Sequence, residues 1–158
     1  MEDLSLILWR ERELLENLLY KLEVEKLVLA SGDTRWLATA AREVEAVLET
    51  LRETELLRAV AADEAARAVG MAANPSLRAL ADSSAEPWRS ILMDHRDAFL
   101  RYTNEIVDLA AINRELLTAG QRAAREALLG LSEHADGYAP NGAAVVEERR
   151  ARLLEQSI

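Results

Sequence analysis

The fold of this chain is decided by residues 87–135, which read PWRSILMDHRDAFLRYTNEIVDLAAINRELLTAGQRAAREALLGLSEHA. The seam positions of this stretch recur at alternating steps of three and four residues over about five heptads, a spacing typical of a coiled-coil-like helix. At ~1.5 Å per residue the helix would be about 70 Å long, which is longer than the first helix of the chain. We therefore expect part of the seam to be exposed or covered by another segment. The seam positions are Leu92, Phe99, Tyr102, Ile106, Leu109, Asn113, Leu116, Gly120, Ala123 and Ala127.

A second pattern lies in residues 2–30, which contain neither glycine nor proline. Leucines there repeat every seven residues, which predicts a helix with one apolar seam. Glu11 and Glu25 occupy alternate positions of that seam and make it imperfect. The repeating residues are Leu8, Leu15, Leu22 and Leu29.

A short break separates this first helix from a second helix over residues 34–69. Ser31-Gly32-Asp33 supplies a glycine for a left-handed helix end and an aspartate for the next N-cap. A connection this short makes the first two helices an antiparallel hairpin. The end of the second helix is rich in alanine, and small side chains bury little area, so we expect that end to fray.

Residues 70–87 interrupt the helical pattern before the long third helix. Asn74-Pro75 opens a short helical turn that runs through Leu80. Ser83 and Glu86 have the spacing of a capping box, which predicts that the third helix begins at about Pro87.

The third helix is followed by a tail. Residues 137–142 break the helix, and residues 143–156 form a short amphipathic segment. We therefore predict an all-α fold, an elongated antiparallel three-helix coiled-coil-like bundle with a short carboxy-terminal amphipathic tail. The predicted ranges are a bundle over 1–135, with helices at about 2–30, 34–69 and 87–135, and a flexible or short-helical partner-binding tail over 136–158.

Composition agrees with a helical bundle and disfavours several classes of protein. Ala, Glu, Leu, Arg and Lys account for 94 of the 158 residues, and only nine are Gly or Pro, which disfavours sandwiches and barrels. The net charge of −9 disfavours binding to nucleic acid or anionic membranes, because both need clustered Lys and Arg. No apolar run is long enough for membrane insertion, no cysteine is present, and the first residues are acidic where a secretory signal would be basic. We therefore expect a cytoplasmic protein.

The sequence nominates no residues for catalysis, for a cofactor or for a metal. Its only histidines are His95 and His134, and neither has the Glu-x-x-His spacing of a di-iron site in a helical bundle. His95 falls on the third seam, where a structural role outweighs a role as a ligand. We expect no enzymatic activity and no catalytic, cofactor-binding or metal-binding residues.

Three further residues stand out from the helical pattern. Asn113 on the third seam either fixes the register of the packed helices, the favoured interpretation, or contacts a partner. Gly120 either admits a close neighbour or softens the helix. Tyr138 is an isolated aromatic residue in the break, and docking and accident are equally good interpretations of it.

Five short stretches, taken in order, carry a resemblance to a known family. They are Trp9–Leu15 (WRERELL), Leu29–Asp33 (LASGD), Asn113–Leu117 (NRELL), Ala127–Leu131 (ALLGL), and Tyr138 with Gly142 close behind it. In their order and spacing they resemble the FlgN-type flagellar export chaperones over essentially the full length of the chain. The alanine-rich stretch 59–73 and Pro75 depart from the family pattern.

The resemblance implies a cytoplasmic chaperone of flagellar type III protein export. Such a chaperone binds the carboxy-terminal segments of hook-associated (hook–filament junction) proteins as helices and delivers them to the export gate. The family uses its carboxy-terminal part for these clients and a tail tyrosine for the gate, and Tyr138 matches that tyrosine by position. The client-binding residues would be Leu128, Leu131, Val145, Val146, Leu153 and Leu154.

A structural coiled-coil homodimer that handles no client is the alternative interpretation. In such an interaction scaffold the exposed seam of the third helix would meet a second copy of the chain. A scaffold of this kind predicts helicity that depends on concentration, whereas a chaperone predicts a stable monomer or a weak homodimer that the client dissolves.

Overall fold

The structure is a computed structural model that describes residues 1–136, with side chains as far as Leu131. Every element in this part of the chain is a helix, so the predicted all-α helical bundle is confirmed. The elements are α1 (Glu2–Ser31), a 3-10 turn (Thr34–Trp36), α2 (Leu37–Ala68), α3 (Leu77–Asp82) and α4 (Trp88–Asp136).

The chain divides into two compact units between Leu116 and Leu117. The first unit contains α1, α2, α3 and the first part of α4, and the second unit begins with the rest of α4. The division that we expect between residues 135 and 136 stays a prediction. The tail lies outside the described residues.

The connection between α1 and α2 follows the predicted cap chemistry. Gly32 has a φ of 70°, and its N–H donates to the carbonyl of Leu29. The side chain of Asp33 accepts a hydrogen bond from the backbone N–H of Arg35 at 3.0 Å, which satisfies a free donor at the start of the next helix. Both predicted caps are confirmed.

Two ion pairs show that α1 and α2 run antiparallel. Nζ of Lys21 lies 2.8 Å from Oε2 of Glu43, a pair near the connection between the helices. Oε2 of Glu11 lies 3.0 Å from Nε of Arg58, a pair farther from the connection on both helices. The hydrogen bond to Glu43 raises the pKa of Lys21.

Two apolar clusters form the core of the first unit. One cluster joins α1, α2 and α4, and the other joins all four helices at the end where α3 lies. Their buried members are Leu18, Leu22, Val47, Leu51 and Leu109 in the first, and Leu4, Leu8, Ala61, Ala65, Ala66, Leu80, Ala81 and Leu92 in the second.

The expectation that the alanine-rich end of α2 frays was wrong. Ala61, Ala65 and Ala66 are all buried, and Ala66 is fully inaccessible to solvent. They pack against leucines of α1, α3 and α4, because the short helix α3 closes this end of the core. Small side chains allow helices to approach closely, so the alanines suit a junction of several helices.

The predicted capping box at Ser83 and Glu86 does not form. Ser83 instead ends α3, where its N–H donates to the carbonyls of Ala79 and Ala81. Glu86 reaches forward, and its Oε2 accepts hydrogen bonds from the N–H and the hydroxyl of Ser90, at 3.3 and 2.7 Å. Only six residue positions separate the end of α3 from the start of α4. Because Ser83 already caps the end of α3, it does not cap the start of α4.

Three polar residues of the seams, Glu11, Glu25 and Asn113, are paired across helices. Glu11 is 5% exposed and lies against Arg58, and burial raises the pKa of its carboxyl while the charge of Arg58 opposes that rise. Asn113 is equally buried, and its Nδ2 donates to the carbonyl of Leu22 at 3.0 Å and to Oε2 of Glu25 at 2.9 Å. The two glutamates that interrupt the first seam therefore each have a partner on another helix.

His95 joins α4 to α1 without a hydrogen bond from its ring. It is fully buried, and within the described part of the chain neither ring nitrogen has a hydrogen-bond partner. The ring of Trp9 meets it edge-on, with centroids 4.9 Å apart, and Phe99 lies 6.2 Å away. Burial lowers the pKa of His95, the charge of Arg12 lowers it further, and Asp94 acts in the opposite direction.

The buried imidazole predicts that the bundle loses stability in acid. Because the pKa of His95 is lowered from 6.5, the unfolded chain takes up a proton that the folded chain resists as the pH falls below that value. We expect His95 to lower the free energy of unfolding by up to ~1.4 kcal/mol for each pH unit between its unfolded and its folded pKa. His95→Leu should therefore unfold at the same or a higher urea concentration near neutral pH, and should lose less stability than the unsubstituted chain between about pH 7 and pH 5.

Urea unfolding of both chains across that pH range tests this expectation. His134→Gln removes the other histidine and should keep the original pH dependence. If His95→Leu loses stability in parallel with the unsubstituted chain, the acid sensitivity arises from other groups.

Candidate functional site

The second unit presents an apolar stripe on α4. Every residue from 117 to 129 is exposed. Steps of seven, four and three residues place Leu117, Ala124, Leu128 and Leu131 on one side of the helix, and we call these four residues the α4 apolar face. Exposure of their leucines ranges from 40% for Leu117 to 68% for Leu128 and Leu131.

Small and charged residues complete the amphipathic pattern of this segment. Gly120, Ala123 and Ala127 flank the α4 apolar face on one side, so that no bulky or charged group interrupts it there. Arg122 and Glu126 lie on the opposite side of the helix, at angles of about 140 to 180° from Leu117. An amphipathic helix with an exposed apolar side is the surface on which another helix can pack.

The structure describes only two of the seven predicted site residues. Leu128 and Leu131 lie three residues apart on the α4 apolar face, as their spacing predicts. The remaining predicted residues lie outside the described part of the chain, and their roles stay predictions. They are Val145, Val146, Leu153 and Leu154 for the client and Tyr138 for the gate.

Two residues of the α4 apolar face are not among the predicted site residues. Leu117 and Ala124 precede Leu128 by eleven and four residues, which puts them on the same side of the helix. The seven-residue spacing between Leu117 and Ala124 is the signal in the sequence that could have found them. The predicted seam of the third helix uses Leu116 and Ala123, one residue earlier in each case, and so does not include them.

No described residue packs closely against Gly120. A Cβ added at this position would meet no described atom within 4 Å. Of the two interpretations of this glycine, a softened helix fits this geometry, and a close neighbour within the described residues does not. Glycine within a helix costs roughly 1 kcal/mol relative to alanine.

The described residues include neither a cluster suited to a metal ion nor a helix that could span a membrane. In that part of the chain, no cluster of three or more histidine, aspartate or glutamate side chains is arranged to hold a metal ion. None of its helices combines the length and the apolar character required to cross a membrane.

Comparison with known proteins identifies the family. The model of the family described as FlgN protein matches residues 1–145, which covers both the bundle and the α4 apolar face. The chain belongs to the FlgN family. No curated protein and no solved structure matches it.

Membership of the FlgN family indicates the general function of this helical protein. FlgN proteins are flagellar export chaperones, so this chain is a chaperone that acts in flagellum biogenesis. A chaperone works by binding rather than by bond-making chemistry. The α4 apolar face is the candidate for such a binding surface.

Replacing Gly120 with alanine tests whether this glycine lowers the local stability of α4 in this FlgN-family chain. With no described atom in the way of the new methyl group, Gly120→Ala should stabilise the surrounding helix by up to about 1 kcal/mol. The expected observation is slower amide hydrogen exchange across residues 117–131, with exchange in α1 and α2 unchanged. Faster exchange around residue 120 would show that the added methyl group clashes.

Proposed function

We propose that this FlgN-family chaperone binds the carboxy-terminal segments of hook-associated flagellar proteins and delivers them, in the cytoplasm, to the export gate. The observation that carries the proposal is the family match over residues 1–145, combined with an exposed apolar face on α4 inside that range. The client segment would pack on the α4 apolar face as a helix, in the manner of an amphipathic helix on an apolar surface.

The size of the apolar surface supports the participation of the tail. Burying a leucine side chain fully contributes about 1.5–3 kcal/mol, and the three leucines of the α4 apolar face are only 40% to 68% exposed, so burying what they expose supplies roughly 3–5 kcal/mol. Association itself costs at least about 4 kcal/mol, while micromolar affinity requires a net gain of about 8 kcal/mol. The leucines of α4 therefore fall short by themselves, and the tail residues Val145, Val146, Leu153 and Leu154 would supply the additional apolar contact.

The exposed state of α4 also suits a protein that handles unfolded segments. A client segment that is disordered before binding must lose conformational entropy when it folds on the chaperone. A surface that is already helical reduces the part of this cost that falls on the chaperone. Because α4 is one continuous helix, its part in the first unit supplies the helical start, and the rest of α4 does not have to nucleate by itself.

Deleting residues 143–158 should weaken client binding by at least about tenfold, because the tail supplies part of the apolar contact. The double variant Leu128→Ala/Leu131→Ala should weaken it by a similar factor. Both leucines are 68% exposed, so neither change should lower the unfolding temperature of the bundle. The affinity for a carboxy-terminal peptide of a hook-associated protein can be measured by fluorescence anisotropy.

A matched control for the leucine variant exists on the same helix. Leu100 and Val107 are 50% and 60% exposed and lie in the first unit. Leu100→Ala/Val107→Ala should bind the peptide within twofold of the unsubstituted chain. If this control loses affinity while the Leu128 and Leu131 variant keeps it, the client binds at another place on α4.

Tyr138→Ala should leave the fold and client affinity unchanged and should weaken binding to the cytoplasmic domain of the export gate. An aromatic anchor in a docking contact is worth about 1–2 kcal/mol or more, which corresponds to a loss of roughly five- to thirtyfold. Binding of the full chain, loaded with client peptide, to the purified gate domain measures this loss. A lowered unfolding temperature with gate binding intact would assign Tyr138 a structural role.

A further inference from the structure

The solvent side of α1 carries large apolar side chains. Leu6, Tyr20 and Leu27 are 68%, 62% and 66% exposed, and Trp9 is 50% exposed. They lie on the side of the helix opposite the buried seam. We call these four residues, together with the exposed glutamates Glu13 and Glu16, the α1 outer face.

The spacing places the α1 outer face in one line along the helix, with an apolar part at each end. Leu6, Glu13, Tyr20 and Leu27 are separated by seven residues each, so they keep the same position in successive heptads. At ~1.5 Å per residue the stripe is about 31 Å long. In a bundle the solvent side of a helix is normally polar, and a row of apolar residues there marks an interaction surface.

Trp9 is held in place at one end of the stripe. The guanidinium of Arg12 lies 4.5 Å from the centre of its ring, and the imidazole of His95 packs against it with centroids 4.9 Å apart. Arg12 is itself fixed by an ion pair of 2.8 Å with Asp94 of α4. An aromatic ring that is half exposed but already ordered loses little entropy on binding, which is the property of an interface hot spot.

The charge of this side of α1 selects the partner. Glu13 and Glu16 lie between the two apolar ends of the stripe, and both are exposed. Arg12 lies on the ring of Trp9, but this cation is already paired with Asp94. Lys21 lies on the ring of Tyr20, but it is already paired with Glu43. A second copy of this chain, with its net charge of −9, would bring acidic groups against acidic groups. An anionic membrane surface would meet the same repulsion. A cationic partner is favoured.

We propose that the α1 outer face is a second docking site of this chaperone, which binds an amphipathic helix of another protein whose apolar stripe is flanked by lysine or arginine. The apolar residues of that helix pack on Leu6, Trp9, Tyr20 and Leu27. Its cationic residues pair with Glu13 and Glu16. This site uses residues of α1 and shares none with the α4 apolar face.

The probe for this site is a synthetic amphipathic helix about four heptads long, with leucine at the a and d positions and lysine at e and g. A second probe carries glutamate in place of every lysine. We expect the lysine probe to bind the full chain, and Leu6→Ala/Tyr20→Ala/Leu27→Ala to weaken its binding by at least about tenfold. Glu13→Gln/Glu16→Gln should also weaken it, and the glutamate probe should bind at least about tenfold less tightly than the lysine probe.

The matched control is an apolar patch on α2. Leu56, Leu57 and Val60 are 72%, 55% and 60% exposed, but they span little more than one helical turn and include no aromatic residue. Leu56→Ala/Leu57→Ala/Val60→Ala should bind the lysine probe within twofold of the unsubstituted chain. Trp9 is left unchanged in these variants because it packs on the buried His95.

Three results would overturn the proposal. In the first, the α1 variant binds the lysine probe within twofold of the unsubstituted chain. In the second, the glutamate probe binds as tightly as the lysine probe. In the third, Leu128→Ala/Leu131→Ala abolishes probe binding while the α1 variant retains it, which would place the probe on the α4 apolar face. Circular dichroism of the α1 variant should show an unchanged unfolding temperature, since the three substituted side chains are exposed.

Discussion

The hydrogen bonds of Asn113 set the register in which α4 packs on α1. A leucine seam alone tolerates a shift along the helix axis, because one leucine can take the place of the next. A buried asparagine cannot shift in this way without leaving its amide unpaired, which costs about 1–3 kcal/mol. Donation to the carbonyl of Leu22 and to Glu25 therefore holds α4 at one position, with Leu109 in the cluster that Leu18 and Leu22 form.

The opposite end of the first unit depends on a different kind of contact. The aromatic and cationic groups of Trp9, Arg12, Asp94 and His95 join α1 to α4 there, while Glu11 and Arg58 join α1 to α2. Several of these groups are buried without a full set of hydrogen-bond partners. They make the packing of the helices more specific, but burying them lowers the stability of the fold. The alanines of α2 and the short α3 compensate by closing the apolar core tightly.

This arrangement suits a chaperone that folds by itself and keeps a surface free for the client segment that we propose. The first unit buries its own seams, and in the second unit α4 keeps its apolar face exposed. A rigid bundle with large exposed leucines could aggregate, but the net charge of −9 opposes association between copies. The same charge favours partners that are cationic, which is one basis for the docking site that we propose on α1.

The sequence by itself determined the helical class, the hairpin connection and the amphipathic side of α4. These features depend on local chemistry: Gly32 tolerates a positive φ, Asp33 caps a helix start, and seven-residue spacing places Leu117, Ala124, Leu128 and Leu131 on one side. Only the tertiary structure decided that the alanine-rich end of α2 is core and that Ser83 ends α3. It also decided which groups pair with Glu11 and Glu25. The alanine core and these pairs depend on residues far apart in the chain, and local spacing carries no information about which helices meet. Ser83 lies where it can serve either of two neighbouring helices, and the packing of α3 into the core decided between them.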